Sequence, residues 1–201
     1  WRFNRAQVTE WLQQTMPTLA EERLVAIERS MGGPSSTSID EAKLTVTPLI
    51  GLEGIDVRFP ARTRTSVLRE LVKLADATGA LYDGPGLLTA LEDRESLCST
   101  ALPNGIAIPH ARQPMPYVSA EQLICIARSP RGIGFGAPKG GLTRLFFLVC
   151  CHTDRYHLHV LARLMRILDE VTVERILEVE TREELLEVLI AAERDVVART
   201  K

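Results

Sequence analysis

The sequence predicts an α/β fold in which a mixed β-sheet is sandwiched between helices. Short runs with the two-residue periodicity of strands alternate with segments whose apolar residues have helical spacing. The strand predicted at residues 145–151 is apolar on both faces, as expected for a central strand that is covered by helices on each side. The 201 residues, 45% hydrophobic and 25% charged, suffice for one domain with a sizeable core plus a short attachment.

The first half of the chain contains three predicted helices and one predicted strand. The helix at residues 18–31 has its apolar residues near one face, and residues 54–59 alternate as a strand does. Helices follow at residues 65–77 and 85–97, and the second of them opens at Pro85, a favoured first position.

The second half contains three strands and two helices. Short apolar runs predict strands at residues 106–108, 122–127 and 145–151. Residues 155–168 are strongly amphipathic, and a capping box at residues 181–184 opens the terminal helix.

Composition divides the chain into three parts. Residues 1–15 form a short segment that contains aromatic residues. Residues 16–43 hold a helix followed by a flexible linker. Gly, Pro and Ser residues at 32–38 mark that linker, and the main domain is predicted at residues 44–199. The chain begins at Trp1 rather than Met, so we expect a fragment of a longer protein.

Charge and hydropathy exclude several classes of function. Lys and Arg number 24 against 26 Asp and Glu, so the net charge of −2 leaves no large basic field for nonspecific nucleic-acid binding. The longest apolar run, residues 145–151, is far shorter than the roughly 20 residues that a spanning helix needs. Residues 1–5 do not resemble a secretion signal, because no apolar region follows them, and the four cysteines lie in apolar or strand-like contexts, so we expect a protein of the reducing cytoplasm.

His110 is the first candidate for chemistry. It follows a three-residue apolar strand and Pro109, which has no N–H. The strand ladder is therefore predicted to stop just before His110 and to leave the imidazole facing a cleft. The alternative is a partly exposed loop histidine without a task.

Arg94, Ser99 and Thr100 form a second candidate group, at the end of a predicted helix. A guanidinium fork can hold phosphate oxygens, and hydroxyl or backbone N–H groups beside it can complete the cradle. The alternative is that Arg94 pairs with Glu92 or Glu95 near the helix C-terminus.

His157 and His159 lie at the start of the amphipathic helix at residues 155–168. Residues two apart on a helix point roughly 200° apart, so only one of these histidines can line a given site. His157 falls in the first turn, where the helix dipole favours bound anions and a neutral imidazole.

Metal, protease and nucleotide sites are disfavoured. A zinc site would need about four convergent ligands, and adjacent strand residues such as Cys150 and Cys151 point to opposite faces. Every cysteine except Cys98 lies inside a predicted strand, which argues against a nucleophilic Cys–His pair. The glycines at residues 132–141 lack the context of a nucleotide-binding loop.

Three short motifs carry a family resemblance. The letters RE at residues 94–95, ST at 99–100 and GIAIPH at 105–110 resemble, in order and spacing, one active-site segment. That segment is the active-site segment of the enzyme IIA domains of the bacterial phosphoenolpyruvate-dependent sugar phosphotransferase system, in the fructose, mannitol and nitrogen-regulatory subclass. The resemblance extends over about residues 44–197 and includes the element that begins at His157.

The resemblance implies a phosphorylated histidine at His110. It implies that Arg94 and His157 border the phosphohistidine, that Ser99 or Thr100 contributes hydroxyl or amide donors, and that no metal or nucleotide cofactor is needed. The implied partners are a histidine-containing phosphocarrier protein and either a sugar permease subunit or a regulatory target.

Two positions depart from the family pattern. Members often have Gly-Ile-Gly after the Ser-Thr pair, where this chain has ALP at residues 101–103. A common Asp is replaced by Lys139. The stiffer loop is the one feature that favours a domain with the fold but without the transfer activity.

The first twelve residues carry a second resemblance. They are similar to the closing strand and helix of an excisionase-like, winged helix-turn-helix domain whose recognition helix is not in this chain. The alternative is a short amphipathic segment that packs Trp1, Phe3, Val8 and Trp11.

Three functions therefore compete: a sugar-transport phosphoryl carrier, a regulatory sensor, and a non-catalytic interaction domain. The N-terminal attachment favours the sensor, in which the state of His110 controls transcription through a DNA-binding module. DNA would be contacted only through the domain missing from this chain, and no membrane insertion is expected.

Overall fold

The computed structural model describes residues 4–32 and 45–199. Two helices precede the gap, and five helices and four strands follow it. Single 3₁₀ turns occupy Met16–Thr18, Thr47–Leu49, Leu52–Gly54 and Pro138–Gly140. The helices are α1 (Arg5–Thr15), α2 (Glu21–Gly32), α3 (Arg64–Ala77), α4 (Gly84–Leu97), α5 (Asp154–Ile167), α6 (Glu170–Glu178) and α7 (Arg182–Arg199), and the strands are β1 (Ile55–Asp56), β2 (Ile106–Ala107), β3 (Leu123–Ile133) and β4 (Thr143–Cys150).

The four strands form one mixed sheet in the order β1-β3-β4-β2. β3 and β4 pair antiparallel at its centre, while β1 and β2 are parallel edge strands. The prediction of a mixed sheet is confirmed. β3 runs six residues beyond its predicted end at Ala127, past a register shift between Arg128 and Ile133. Pro130 and Gly132 interrupt the apolar alternation there and conceal the extension.

Helices cover both faces of the sheet, as predicted. Along β3, Ile124 and Ile126 point to a core that includes α5, α6 and α7, while Cys125 and Ala127 point to a core with α3 and α4. Successive strand residues face opposite sides, so a strand buried on both faces must be apolar throughout. α6 was not predicted, because it is short and follows α5 almost directly.

α1 and α2 pack against α5, the helix that carries His157. The polar side of α5 is thereby buried as well as its apolar side. Arg163 of α5 contacts Glu28 of α2 at 2.6 Å (Nε to Oε1), and Arg166 also binds Glu28. The amphipathic pattern of α5 predicted the buried apolar stripe but not this second interface.

Two further expectations concern the start of the chain. α2 occupies most of the predicted helix at residues 18–31, whereas the predicted linker at 32–38 lies, except for Gly32, outside the described residues. Within the described ranges, no helix is long and apolar enough to cross a membrane.

Candidate functional site

His110 lies at the end of the sheet, three residues after Ala107, the last residue of β2. The N–H of Val149 donates to the carbonyl of Pro109 at 3.0 Å, and His110 forms a parallel bridge with Val149. The regular ladder of β2 ends at Ala107 and the ring lines a cavity, as predicted, but an isolated bridge follows at His110 and the predicted exposure of the residue is wrong. Pro109 cannot donate but still accepts, so pairing with β4 continues, and His110 is only 5% exposed.

The tautomer of His110 follows from one hydrogen bond. Its Nδ1 lies 2.7 Å from the carbonyl oxygen of Ile108. A carbonyl can only accept, so Nδ1 carries the hydrogen and Nε2 carries the lone pair. Nε2 is buried and has no hydrogen-bond partner among the described residues. The nitrogen with a free lone pair, which sequence alone left open, is thus Nε2.

His157 reaches the same site from α5. The Thr153 hydroxyl caps this helix by accepting from the Tyr156 N–H, which places His157 in the first turn as predicted. The ring centroids of His157 and His110 are 4.9 Å apart. The ring of His159 lies instead 6.0 Å from that of Tyr156, so only one of the two histidines borders His110.

Both site histidines are neutral at pH 7. Burial lowers the pKa of His110 well below 6.5, and the nearby His157 and Arg94 lower it further. Burial lowers the pKa of His157 to about 4, with the positive charge of Arg94 as the second cause. Each imidazole therefore keeps a lone pair available at one nitrogen.

Arg94 supplies a positive charge that no carboxylate neutralises within the described ranges. It is buried, and its Nη1 donates to the carbonyl of Cys98 at 2.9 Å, just beyond the end of α4. Glu95 pairs instead with Arg64 at 3.1 Å. The alternative that Arg94 pairs with Glu92 or Glu95 is therefore wrong, and its charge acts on the two histidines.

The hydroxyl hydrogens of Ser99 and Thr100 are already used within the protein. The Thr100 hydroxyl donates to Glu95 at 2.7 Å, and the Thr100 N–H also points to that carboxylate. The Ser99 hydroxyl donates to the carbonyl of Phe135 at 2.7 Å. These contacts hold the loop between Arg94 and His110 in place, whereas the sequence predicted only that the two hydroxyls complete a phosphate cradle.

Gly136 permits the close approach of this loop to its neighbour. Its φ is +98°, and a Cβ built there would lie 2.9 Å from the Cβ of Ser99. A side chain at residue 136 would thus be strained twice, by the backbone conformation and by Ser99.

A cavity of about 590 Å³ opens beside these residues. Arg94, Ser99, Thr100 and His110 line its inner side. Its other side includes residues that no motif indicated, namely Gln13, Gln14, Met16, Pro17 and Thr18. Only the packing of α1 and the following turn against α5 brings them to this site.

Cys98 belongs to this arrangement, because its carbonyl accepts from Arg94 and it lines the cavity, whereas His152 makes its contact elsewhere. His152 is hydrogen-bonded to the Ser119 hydroxyl at 3.3 Å. Burial raises the pKa of Cys150 to about 12 and raises those of Cys125 and Cys151 still further, so these thiols stay protonated. In the two described ranges, no three His, Cys, Asp or Glu side chains converge on a position that could hold a metal.

A sequence model of the EIIA 2 family of the phosphoenolpyruvate-dependent sugar phosphotransferase system matches residues 49–192, most of the chain. The chain belongs to this family. The family resemblance of the motifs at Arg94 and His110 is thereby confirmed, and both residues fall within the matched range.

Known EIIA proteins resemble this chain in sequence and in fold. The fructose-specific EIIA component of Haloferax volcanii is 31% identical over 148 residues, which are 72% of this chain and 92% of that protein. A nitrogen regulatory protein of Bradyrhizobium diazoefficiens is 31% identical over 129 residues, 62% of this chain and 80% of its own. The Escherichia coli mannitol IIA enzyme, solved in complex with phosphorylated IIB, superposes with a TM-score of 0.61 at 25% identity, over 71% of this chain and 99% of that one.

α1 and α2 precede the residues matched to the EIIA family. Val8 and Trp11 of α1 are 39% and 60% exposed, so the alternative in which they pack as part of an apolar face is wrong for these two. Trp1 and Phe3 lie outside the described residues.

Proposed function

We propose that His110 accepts a phosphoryl group on Nε2 from a histidine-containing phosphocarrier protein. The observation that carries the proposal is the state of the His110 ring. Its Nδ1–H is held by the Ile108 carbonyl at 2.7 Å, and its neutral Nε2 is directed away from that bond, beside the unpaired charge of Arg94. Family membership supports the same assignment.

The transfer needs no proton acceptor. The lone pair of His110 Nε2 forms a bond to phosphorus while the bond from phosphorus to the donor's imidazole nitrogen breaks, and its electron pair returns to that nitrogen. The ring of His110 gains positive character, which the Ile108 carbonyl stabilises through Nδ1–H. Alignment and charge stabilisation are the main demands of a loose phosphoryl-transfer transition state.

Arg94 and His157 border the transferring group in this proposal. The guanidinium stabilises the charge on the equatorial oxygens, and the imidazole of His157 lies close enough to His110 to contact the same group. Ser99 and Thr100 act mainly by holding their loop, and a hydroxyl of either residue donates to the phosphoryl group only by leaving its present acceptor, the Phe135 carbonyl or the Glu95 carboxylate.

The preferred biological role is a regulatory sensor, in which the phosphorylation of His110 controls an attached DNA-binding module. The similarity to a nitrogen regulatory protein favours this role, and residues 1–15 would then be the remnant of that module, joined through residues 16–43 to the EIIA domain at 44–199. The similarity to the fructose-specific EIIA component favours the second candidate, a sugar-transport phosphoryl carrier that passes the group to a permease subunit.

Phosphorylation is tested by incubating the full chain with phosphoenolpyruvate, enzyme I and the histidine phosphocarrier. We expect intact mass spectrometry to detect one added phosphate that brief acid treatment removes. His110→Ala abolishes the gain, whereas His152→Ala, at a histidine outside the site, retains it. No gain with several phosphocarrier proteins, or a gain that survives His110→Ala, contradicts the proposal.

Arg94→Lys tests the role of the guanidinium. Lysine keeps the charge but loses the planar fork, so we expect phosphorylation of His110 to slow about tenfold. Arg62→Lys, at an exposed arginine outside the cavity, is the matched control. Rate constants for phosphorylation come from the mass measurement at timed intervals. Equal rate constants for the two variants would contradict the role of the Arg94 guanidinium.

A further inference from the structure

The chain carries a helical segment that the EIIA family match does not include. We call residues 4–32 the arm; it comprises α1, the turn Met16–Thr18 and α2. The family match begins only at residue 49. Nothing in the proposed transfer chemistry requires the arm, yet part of it forms one side of the cavity at His110.

The arm is attached to the rest of the protein before and after the segment that lines this cavity. Glu10 of α1 contacts Arg112, two residues after His110, at 2.8 Å between Oε2 and Nη2. Further along the arm, the buried carboxylate of Glu28 binds Arg163 of α5. Between these contacts Met16 is only 1% exposed and belongs to the same core as α5. The segment at residues 13–18 is therefore held over the site by contacts that precede and follow it.

Three buried polar atoms at or beside the cavity lack hydrogen-bond partners in the part of the chain that the structure describes. Oε1 of Gln13 and Nε2 of His110 belong to residues that line the cavity, and the third is Nε2 of His157, whose ring lies 4.9 Å from that of His110. Gln13 is 7% exposed, and burial of a polar atom without a partner is unfavourable. Polar groups left in this state indicate a ligand that satisfies them when it is present.

A phosphoryl group on His110 fits this requirement once the Gln13 amide is turned, because Oε1 and the phosphoryl oxygens are all acceptors. It uses the lone pair of Nε2 and brings three acceptor oxygens into the cavity. The side-chain amide of Gln13 offers two N–H donors after rotation about its last bond, since its oxygen has no partner to lose. A charge-assisted hydrogen bond of this kind is stronger than one between neutral groups.

We propose that residues 13–18 form the outer wall of the phosphoacceptor cavity and that Gln13 donates a hydrogen bond to the phosphoryl group on His110. The contact with the phosphoryl group rests on the proposed function, whereas the shielding of His110 does not. The wall has to move aside when a protein donor delivers the group, because Nε2 is inaccessible while it is closed. After transfer, Gln13 holds the arm against the phosphorylated site, so the arm reports the state of His110.

The shielding is tested by chemical modification without any phosphoryl donor. Diethylpyrocarbonate acylates accessible neutral imidazoles, and peptide mass spectrometry gives the rate for each histidine. We expect His110 to react more slowly than the half-buried His152 in the full chain. Met16→Lys places a charge in the core beneath the arm and should raise the His110 rate about tenfold. Gln7→Lys, with the same added charge on the exposed side of α1, should leave the rate unchanged.

Circular dichroism and the acylation rate of His152 show whether the Met16→Lys variant keeps the domain folded. If that variant unfolds, the charge reversal Glu10→Arg replaces it, since it opposes Arg112 at the surface. Adding Arg112→Glu should then restore the slow His110 rate. Equal rates for His110 and His152 in the unaltered chain, or no acceleration in the folded variants, overturns the shielding.

The contact with Gln13 is tested by the lifetime of the phosphohistidine at pH 7. Gln13→Glu keeps the shape of the side chain but repels the phosphoryl oxygens, so we expect hydrolysis about tenfold faster than in the unaltered chain, and Gln13→Ala to be intermediate. Gln7→Glu is the matched control and should not change the lifetime. Equal lifetimes for all four proteins overturn the contact.

The two tests separate the two proposals. If the chain takes up no phosphate from any donor, the proposed function fails, while the modification rates still decide whether the arm covers His110. If phosphate is taken up but neither the modification rate nor the lifetime responds to the arm variants, the proposed function stands and this inference fails.

Discussion

Burial sets the protonation of the two histidines at the site. His157 lies in the first turn of α5, where the helix dipole favours neutral imidazole, but the larger cause of its lowered pKa is removal from water. The same cause acts on His110, whose Nε2 stays unprotonated and nucleophilic at pH values where an exposed histidine is largely charged. Because burial disfavours the protonated form of both histidines, the folded state becomes less stable in acid.

We expect the free energy of unfolding to fall as the pH falls from 7 to 5. In this range an unfolded His157, with a pKa near 6.5, takes up a proton, whereas the folded one, with a pKa of about 4, does not. The unfolded state then binds more protons, so His157 alone removes about 2 kcal/mol by pH 5.

His157→Gln should remove that part of the pH dependence and leave the part due to His110, which has the same sign. Urea unfolding at pH 7 and at pH 5 measures the change in the free energy of unfolding for the variant and for the unaltered chain. An equal loss of stability in the variant and in the unaltered chain would contradict the assignment.

At the scale of elements, the interface between α2 and α5 depends on a buried ion network. Glu28 binds both Arg163 and Arg166, and Arg163 also lies 3.5 Å from Glu193 of α7. The Glu193 carboxylate in turn accepts the N–H groups of Val46 and Thr47 at 2.8 and 2.9 Å. One network thus ties the arm, α5 and α7 to the turn that precedes β1.

Glu28→Gln should lower the free energy of unfolding by about 3 kcal/mol, because it removes the negative charge that two buried guanidinium groups share. Glu22→Gln, at an exposed position of the same helix, should change it by less than about 0.5 kcal/mol. Urea titration followed by circular dichroism gives both values. A loss of similar size in the two variants would mean that the network contributes no net stability.

At the scale of the whole molecule, the arm and the EIIA domain share one hydrophobic core. Met16 and Leu24 of the arm belong to the same cluster as Ile126 of β3 and Leu161 of α5. Elements that share a core unfold together, so the arm is expected to behave as part of the domain rather than as an independent attachment.

Urea unfolding of the variant Trp1→Phe tests this expectation. Trp11 is then the sole tryptophan and reports on α1 alone, while circular dichroism reports on all helices. We expect the two transitions to share one midpoint. A Trp11 transition at lower urea would show that the arm detaches before the domain unfolds.

The sequence predicted the parts of the fold whose pattern is local. Alternating or helical spacing located the central strands and α5, and the motifs around Arg94 and His110 indicated both the family and the main site residues. It missed the extension of β3, where Pro130 and Gly132 disturb the alternation, and it missed α6. It also assigned Arg94 a carboxylate partner as an alternative, which the pairing of Glu95 with Arg64 excludes.

By itself, the sequence determined the layered α/β fold, the family, and the identities of His110, Arg94 and His157 as candidates, because these depend on periodicity and on short motifs. Only the tertiary structure decided that His110 is buried, that Nε2 is its free nitrogen, and that Gln13 lies at the same cavity. These properties arise where the arm, the β2–β4 edge and α5 meet, and contacts between residues so far apart in the chain leave no periodic signal in the sequence.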